Sequence, residues 1–154
     1  MPANVLAEDA RNMFIRPLII SLFFSIVGEL VLLVIYGIVL FPEGNMMYKV
    51  LWTLGFCGIG MGATLGAGIN LFIVGRHVGL KAVLLTVLLS FLIMGVACDL
   101  LCLNLVLRFN YFGAQASPLL FSAGGVVGSL VAGAGIGGLL FSETGRSISA
   151  RIGI

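Results

Sequence analysis

A chain of 154 residues that is 60% hydrophobic and only 9% charged, with 22 glycines and a mean hydropathy of +1.22, lies far outside the balance of a water-soluble domain. The net charge of +2 supplies neither a basic field for nucleic acid nor an acidic tract for a cationic macromolecule. The solvent that this composition implies is a lipid bilayer.

The first segment, 1–16, carries Glu8, Asp9 and Arg11 among apolar residues and reads either as a short interfacial helix or as a frayed tail. No cleavable signal peptide is expected, because the apolar run that follows is too long for one and is not followed by a small-residue cleavage site. Crossing a hydrocarbon core of about 30 Å takes roughly 20 apolar residues in a helix. Four segments satisfy this, 17–41, 48–75, 81–108 and 118–141, leaving only short loops and a tail, 142–154. Pro17 and Pro118 are expected at helix starts, where a missing N–H costs nothing, and Pro42 with Glu43-Gly44-Asn45 marks the first turn. Arg11, Arg16, Arg76, Lys81, Arg146 and Arg151 fall on one side, against Lys49 and Arg108 on the other. The positive-inside rule then places both termini in the cytoplasm.

Displacing the chain against itself by 70 positions aligns Glu29 with Asp99, Gly55 with Gly125, Gly58 with Gly128, and Gly75-Arg76 with Gly145-Arg146. This suggests a duplication, 11–78 and 81–148, in which each unit is a carboxylate-bearing helix, an outer turn and a glycine-rich helix. The expected fold is an all-α membrane protein of four transmembrane helices arranged as two parallel hairpins.

Glu29 and Asp99 are the candidate ion-binding residues. Each lies near mid-span, where a charged side chain costs at least a few kcal/mol and is seldom idle. Desolvation favours the neutral acid, so such a group is suited to taking up a proton or holding a cation. The competing reading is a protonated acid that only packs helices together through a hydrogen bond. Ser21 and Ser25 precede Glu29 at steps of four and give that helix a polar stripe. Ser25, Asn70 and Asn104 are candidates for a polar path.

Gly58, Gly62 and Gly66 form one small-residue row in the second span, and Gly124 and Gly128 begin another in the fourth; Gly133 and Gly137 make a further row there. Such rows let helix backbones approach closely, within one bundle or between subunits of a homo- or hetero-oligomer. Cys57, Cys98 and Cys102 all lie in apolar runs and are expected as free thiols. Cys98, Asp99 and Cys102 have the look of a metal-ligand cluster, but two thiols and one acid do not complete a buried site, so no metal and no cofactor is assigned. The sole histidine, His77, reads as a solvated loop residue. The glycines of the second span make no nucleotide loop, since no strand precedes them and no lysine lies among them.

The stretch from Tyr48-Lys49 through the glycine row to Ile73-Val74-Gly75, then Gly95-Val96-Ala97-Cys98-Asp99, resembles the proteolipid c subunit of V/A-type rotary ATPases. Span one, with Arg16-Pro17-Leu18 leading in and Ile35-Tyr36-Gly37 leading out, is similar to the carboxylate helix of that family. The resemblance implies proton or sodium carriage at Asp99 and, through the repeat, at Glu29. The chain departs from the family in helix order, with the carboxylate helix first, and in having Asp99 where glutamate is usual. Two functions remain: a membrane-embedded component that moves protons or cations through these carboxylates, and a non-catalytic structural subunit of a larger membrane complex. No catalytic site is visible.

Overall fold

The computed structural model describes residues 3–109 and 118–152, and among these the chain forms helices without a strand. Helix α1 (Ala3–Leu32) continues directly into a π-helical stretch, Leu33–Leu40. A short α2 (Met46–Val50) leads through a second π-helical stretch, Leu51–Met61, into α3 (Gly62–Phe72). The third rod is α4 (Gly79–Ser90), a π-helical stretch Phe91–Cys98, and α5 (Asp99–Phe109); the fourth is α6 (Pro118–Phe141), followed by α7 (Glu143–Ile152). Four segments are long and apolar enough to cross a membrane: Met13–Leu40, Met46–Phe72, Gly79–Asn104 and Ser122–Phe141. The all-α, four-span class expected from composition is the observed one, and it marks an integral membrane protein.

Local chemistry sets most boundaries. Phe41 and Pro42 leave the first rod, Gly44 takes a left-handed φ of 94°, and the Asn45 side chain accepts from the Met47 N–H at 2.9 Å to start α2. Gly75, at φ 74°, ends the second rod, where the N–H groups of Arg76 and His77 both return to the Ile73 carbonyl. His77 is half-buried in this turn.

Two expectations need correction. Pro17 does not open a helix; it lies inside α1, which begins at Ala3 and passes through it. Residues 3–16 of the N-terminal segment are continuous with span one as the first turns of α1. Proline is tolerated inside membrane helices because hydroxyl side chains and neighbouring helices take up freed backbone groups; here Ser21 Oγ donates to the Pro17 carbonyl at 2.7 Å. The second correction concerns Gly145-Arg146, aligned by the repeat with the helix end Gly75-Arg76. Gly145 is inside α7, and the fourth rod stops at Phe141. Ser142 makes that break: its Oγ donates to the Gly138 carbonyl and accepts from the Gly145 N–H at 2.9 Å. Gly145 packs against the Gly138–Leu139 backbone, a space that any Cβ would fill.

Close backbone approaches define the bundle. Methyl groups at Gly66, Gly62 and Gly58 would lie 2.8 Å from Leu18 Cα, 2.8 Å from Ser25 Cβ and 3.5 Å from Ile26 Cα, so spans one and two run antiparallel in contact. In the second hairpin Gly133 and Gly137 serve, 2.9 Å and 3.1 Å from Val87 Cα and Val83 Cα on the same measure. Gly124 and Gly128 face Tyr36 and Leu32 instead, joining span four to span one. Span two also packs on span three, closing a four-helix ring in chain order. The two hairpins therefore use different glycine rows: the positions 70 residues beyond Gly62 and Gly66 are Ala132 and Ile136.

Ile20, Leu65, Ile69, Ile73, Ala82, Ile136 and Leu140 fill the half of the bundle nearer the termini. Outward-facing Phe23, Leu30, Val34, Leu84, Leu88 and Val131 are exposed, as expected of side chains that meet acyl tails.

Candidate functional site

In the half of the bundle away from the termini the apolar filling gives way to a partly open cavity of about 30 Å³, room for one or two water molecules. Glu29 and Asp99 both line it. They come from different hairpins and stand 70 residues apart, yet share one space. Asp99 is 7% exposed, and its Oδ2 has no hydrogen-bond partner among the described residues. Its carboxyl group lies over Gly125 of α6, where a methyl group would come 2.7 Å from Asp99 Cγ. The glycine is thus the reason that a carboxylate fits between spans three and four.

The walls come largely from the π-helical stretches: Tyr36 from the first, Trp52, Thr53 and Cys57 from the second, Met94 and Cys98 from the third. A π turn bonds i to i+5 and is wider than an α turn, and such turns gather at functional sites. The third stretch ends at Cys98, so α-helical geometry resumes at Asp99. Met94 closes the cavity toward the termini, since it belongs to the apolar filling as well, and Ser25 Oγ donates to its sulphur at 3.5 Å.

Three thiols converge beside the acids. Cys98 and Cys102 lie one turn apart on span three, and Cys57 reaches them from span two. The Cys102 sulphur is 3.8 Å from that of Cys57 and 3.9 Å from that of Cys98, and the Trp52 indole N–H donates to Cys102 Sγ at 2.7 Å. All three are buried and free. Sequence spacing paired Cys98 with Cys102, but nothing in it joined Cys57, which belongs to another helix; the incomplete set of two thiols and one acid is in fact three thiols with two acids nearby.

The remaining candidates do not join this cavity. Ser25 is buried against Gly62 beneath it, Asn70 donates to the Phe14 carbonyl at 2.8 Å near the terminal end, and Asn104 donates to the Leu100 carbonyl at 2.8 Å on an exposed face. Lys49, counted from sequence as an outer-side charge, is 1% exposed, and its ammonium donates to the carbonyls of Gly37 at 2.9 Å and Phe41 at 2.6 Å. It caps the end of span one across the turn. Of the other charges in the sidedness argument, the side chains of Arg11, Arg108 and Arg146 lie outside the described residues.

Comparison with protein-family models, with curated proteins and with solved structures gave no match. The likeness to rotary-ATPase proteolipids rests on the sequence motifs alone.

Proposed function

We propose that this protein is a membrane-embedded ion-handling component that takes a proton or a small cation into the cavity shared by Glu29 and Asp99. One observation carries the reading: two acids within the spans, on separate hairpins, line the same small cavity. Packing four helices requires no such meeting, and acids that served only as hydrogen-bonding glue would be expected to face partners across two different seams. The unpartnered Asp99 Oδ2 offers an acceptor to whatever enters.

The position of the cavity suggests a direction. With Arg16, Arg76, Lys81 and Arg151 near one end and Lys49 near the other, the positive-inside rule puts the termini in the cytoplasm and the cavity in the outer half of the membrane. The apolar filling on the cytoplasmic side then acts as the barrier that an ion path would have to open. The proposal differs from a proteolipid ring in one respect: the acids look into a cavity of their own bundle, where a ring would carry one on each outer helix.

The test is ion flux into liposomes, followed with pH-sensitive and sodium-sensitive dyes, together with carboxyl labelling by dicyclohexylcarbodiimide and mass determination of the detergent-solubilised complex. Flux and labelling that fall with Glu29→Gln and with Asp99→Asn support the reading. Flux at the background of empty liposomes, with no labelling of either acid, supports instead a structural subunit bound to larger membrane partners.

A further inference from the structure

The geometry points to a thiophilic d10 cation, Zn2+ or Cu+, as the ion of this cavity, held by the sulphurs of Cys57, Cys98 and Cys102. The inference rests on the ion-handling reading and names its cargo. A zinc–sulphur bond of about 2.3 Å sets neighbouring sulphurs roughly 3.8 Å apart in a tetrahedral site and roughly 4.0 Å apart in a trigonal one. The observed separations from Cys102 are 3.8 Å and 3.9 Å, and all three sulphurs lie within 4.8 Å of one another. Two of the three separations thus already match a single ion and the third is at most 4.8 Å, with the two ligands of span three one turn apart on the same face.

Three further features point to a ligand. Asp99, at 7% exposure, has an unpartnered oxygen in the same cavity, and Glu29 adds a second carboxyl group. Trp52 donates its indole N–H to Cys102 Sγ, the kind of outer hydrogen bond that fixes a ligating sulphur and stabilises its negative charge. Thiolate ligands select zinc and monovalent copper over sodium, magnesium or calcium, which are held by oxygen. Each sulphur that ligates as thiolate gives up its thiol proton, and the cation's charge offsets part of the thiolate charge that hydrocarbon would otherwise exclude. Cysteines kept only as small packing residues have no need to converge from two helices onto a polar cavity.

Trp52 is the only tryptophan and serves as the reporter. The full-length protein, purified in detergent with a thiol-free reductant and stripped with a chelator, is titrated with Zn2+ and separately with Cu+. Trp52 fluorescence and X-ray absorption at the metal edge are the readouts. The expected result is one equivalent bound, a fluorescence change that saturates with it, and three sulphur neighbours at about 2.3 Å. Cys57→Ser and Cys102→Ser lose the site, whereas Trp52→Phe, followed by equilibrium dialysis, binds about 10–100-fold more weakly. The wild-type result stands whether or not those variants fold. Failure of the wild type to bind either metal, a shell of oxygen and nitrogen only, or a disulfide between two of the three cysteines in protein isolated without air would overturn the inference. Carboxylate-dependent flux without metal binding would sink the cargo and leave the ion-handling reading; sulphur-bound metal without flux of protons, sodium or that metal would overturn the ion-handling reading and the metal's part as cargo, leaving a fixed metal site.

Discussion

Lys49 and Gly125 show how single residues set this structure. A lysine buried to 1% exposure is tolerated because two carbonyls at the end of span one lack helical partners and its ammonium supplies donors to both. Lys49→Met keeps much of the volume and removes the donors. The expected loss is about 1–3 kcal/mol for each carbonyl left unpaired, read from unfolding in mixed detergent and denaturant. At Gly125 the consequence is functional. A methyl group there occupies the space of the Asp99 carboxyl group, so Gly125→Ala should lower carboxylate-dependent flux toward the level of Asp99→Asn. Gly138→Ala, with nothing within 4 Å of the new methyl, should leave flux unchanged; equal flux in all three variants would separate Asp99 from the ion path.

At the scale of elements, the glycine rows hold helices together by being absent side chains. Lipid tails are as apolar as leucine, so membrane helices gain little from hydrophobic burial and much from close packing. At Gly66 the new Cβ of an alanine would meet Leu18 Cα, a backbone atom that cannot rotate away. Gly66→Ala is therefore expected to destabilise the bundle by about 1–3 kcal/mol. Gly28 lies on the same pair of rods with open space around it, and Gly28→Ala is expected to be neutral or to stabilise by about 0.5–1 kcal/mol through helix propensity. Thermal aggregation of the two variants in one detergent makes the comparison, and similar midpoints would show that the row does not set the spacing. Sequence periodicity found these rows but not their assignment. Gly124, Gly128, Gly133 and Gly137 all lie on one helix, and only the packing shows that the first two meet span one and the last two span three. The duplication met the same limit. Its aligned acids share a cavity, yet its aligned helix end at Gly145 is interior to α7, where Ser142 rather than glycine breaks the rod.

The whole molecule divides into a dry half and a polar half. Leu65, Ile69 and Ile136 are fully buried near the termini, whereas two carboxyl groups, three thiols and Thr53 meet in the other half. Ile69→Ala should cost about 2–5 kcal/mol through the cavity it leaves. If the apolar half is also the barrier to ion movement, that variant should leak protons in the absence of any gating condition. A stable but leak-free Ile69→Ala protein would place the barrier elsewhere.

By itself the sequence determined the solvent, the number of spans, most of the turns and the two acids worth watching. Those features depend on local length, hydropathy and backbone chemistry, and each is written within some twenty consecutive residues. Only the tertiary structure decided that Glu29 and Asp99 share one space, that Cys57 completes a cluster with Cys98 and Cys102, and that Lys49 turns inward. It also decided that α1 runs unbroken through Pro17. The reason is physical: a helical period says which residues share a face, but not which face of another helix will meet it. That choice is made by shape, by glycine against backbone and carboxyl against glycine, across residues far apart in the chain.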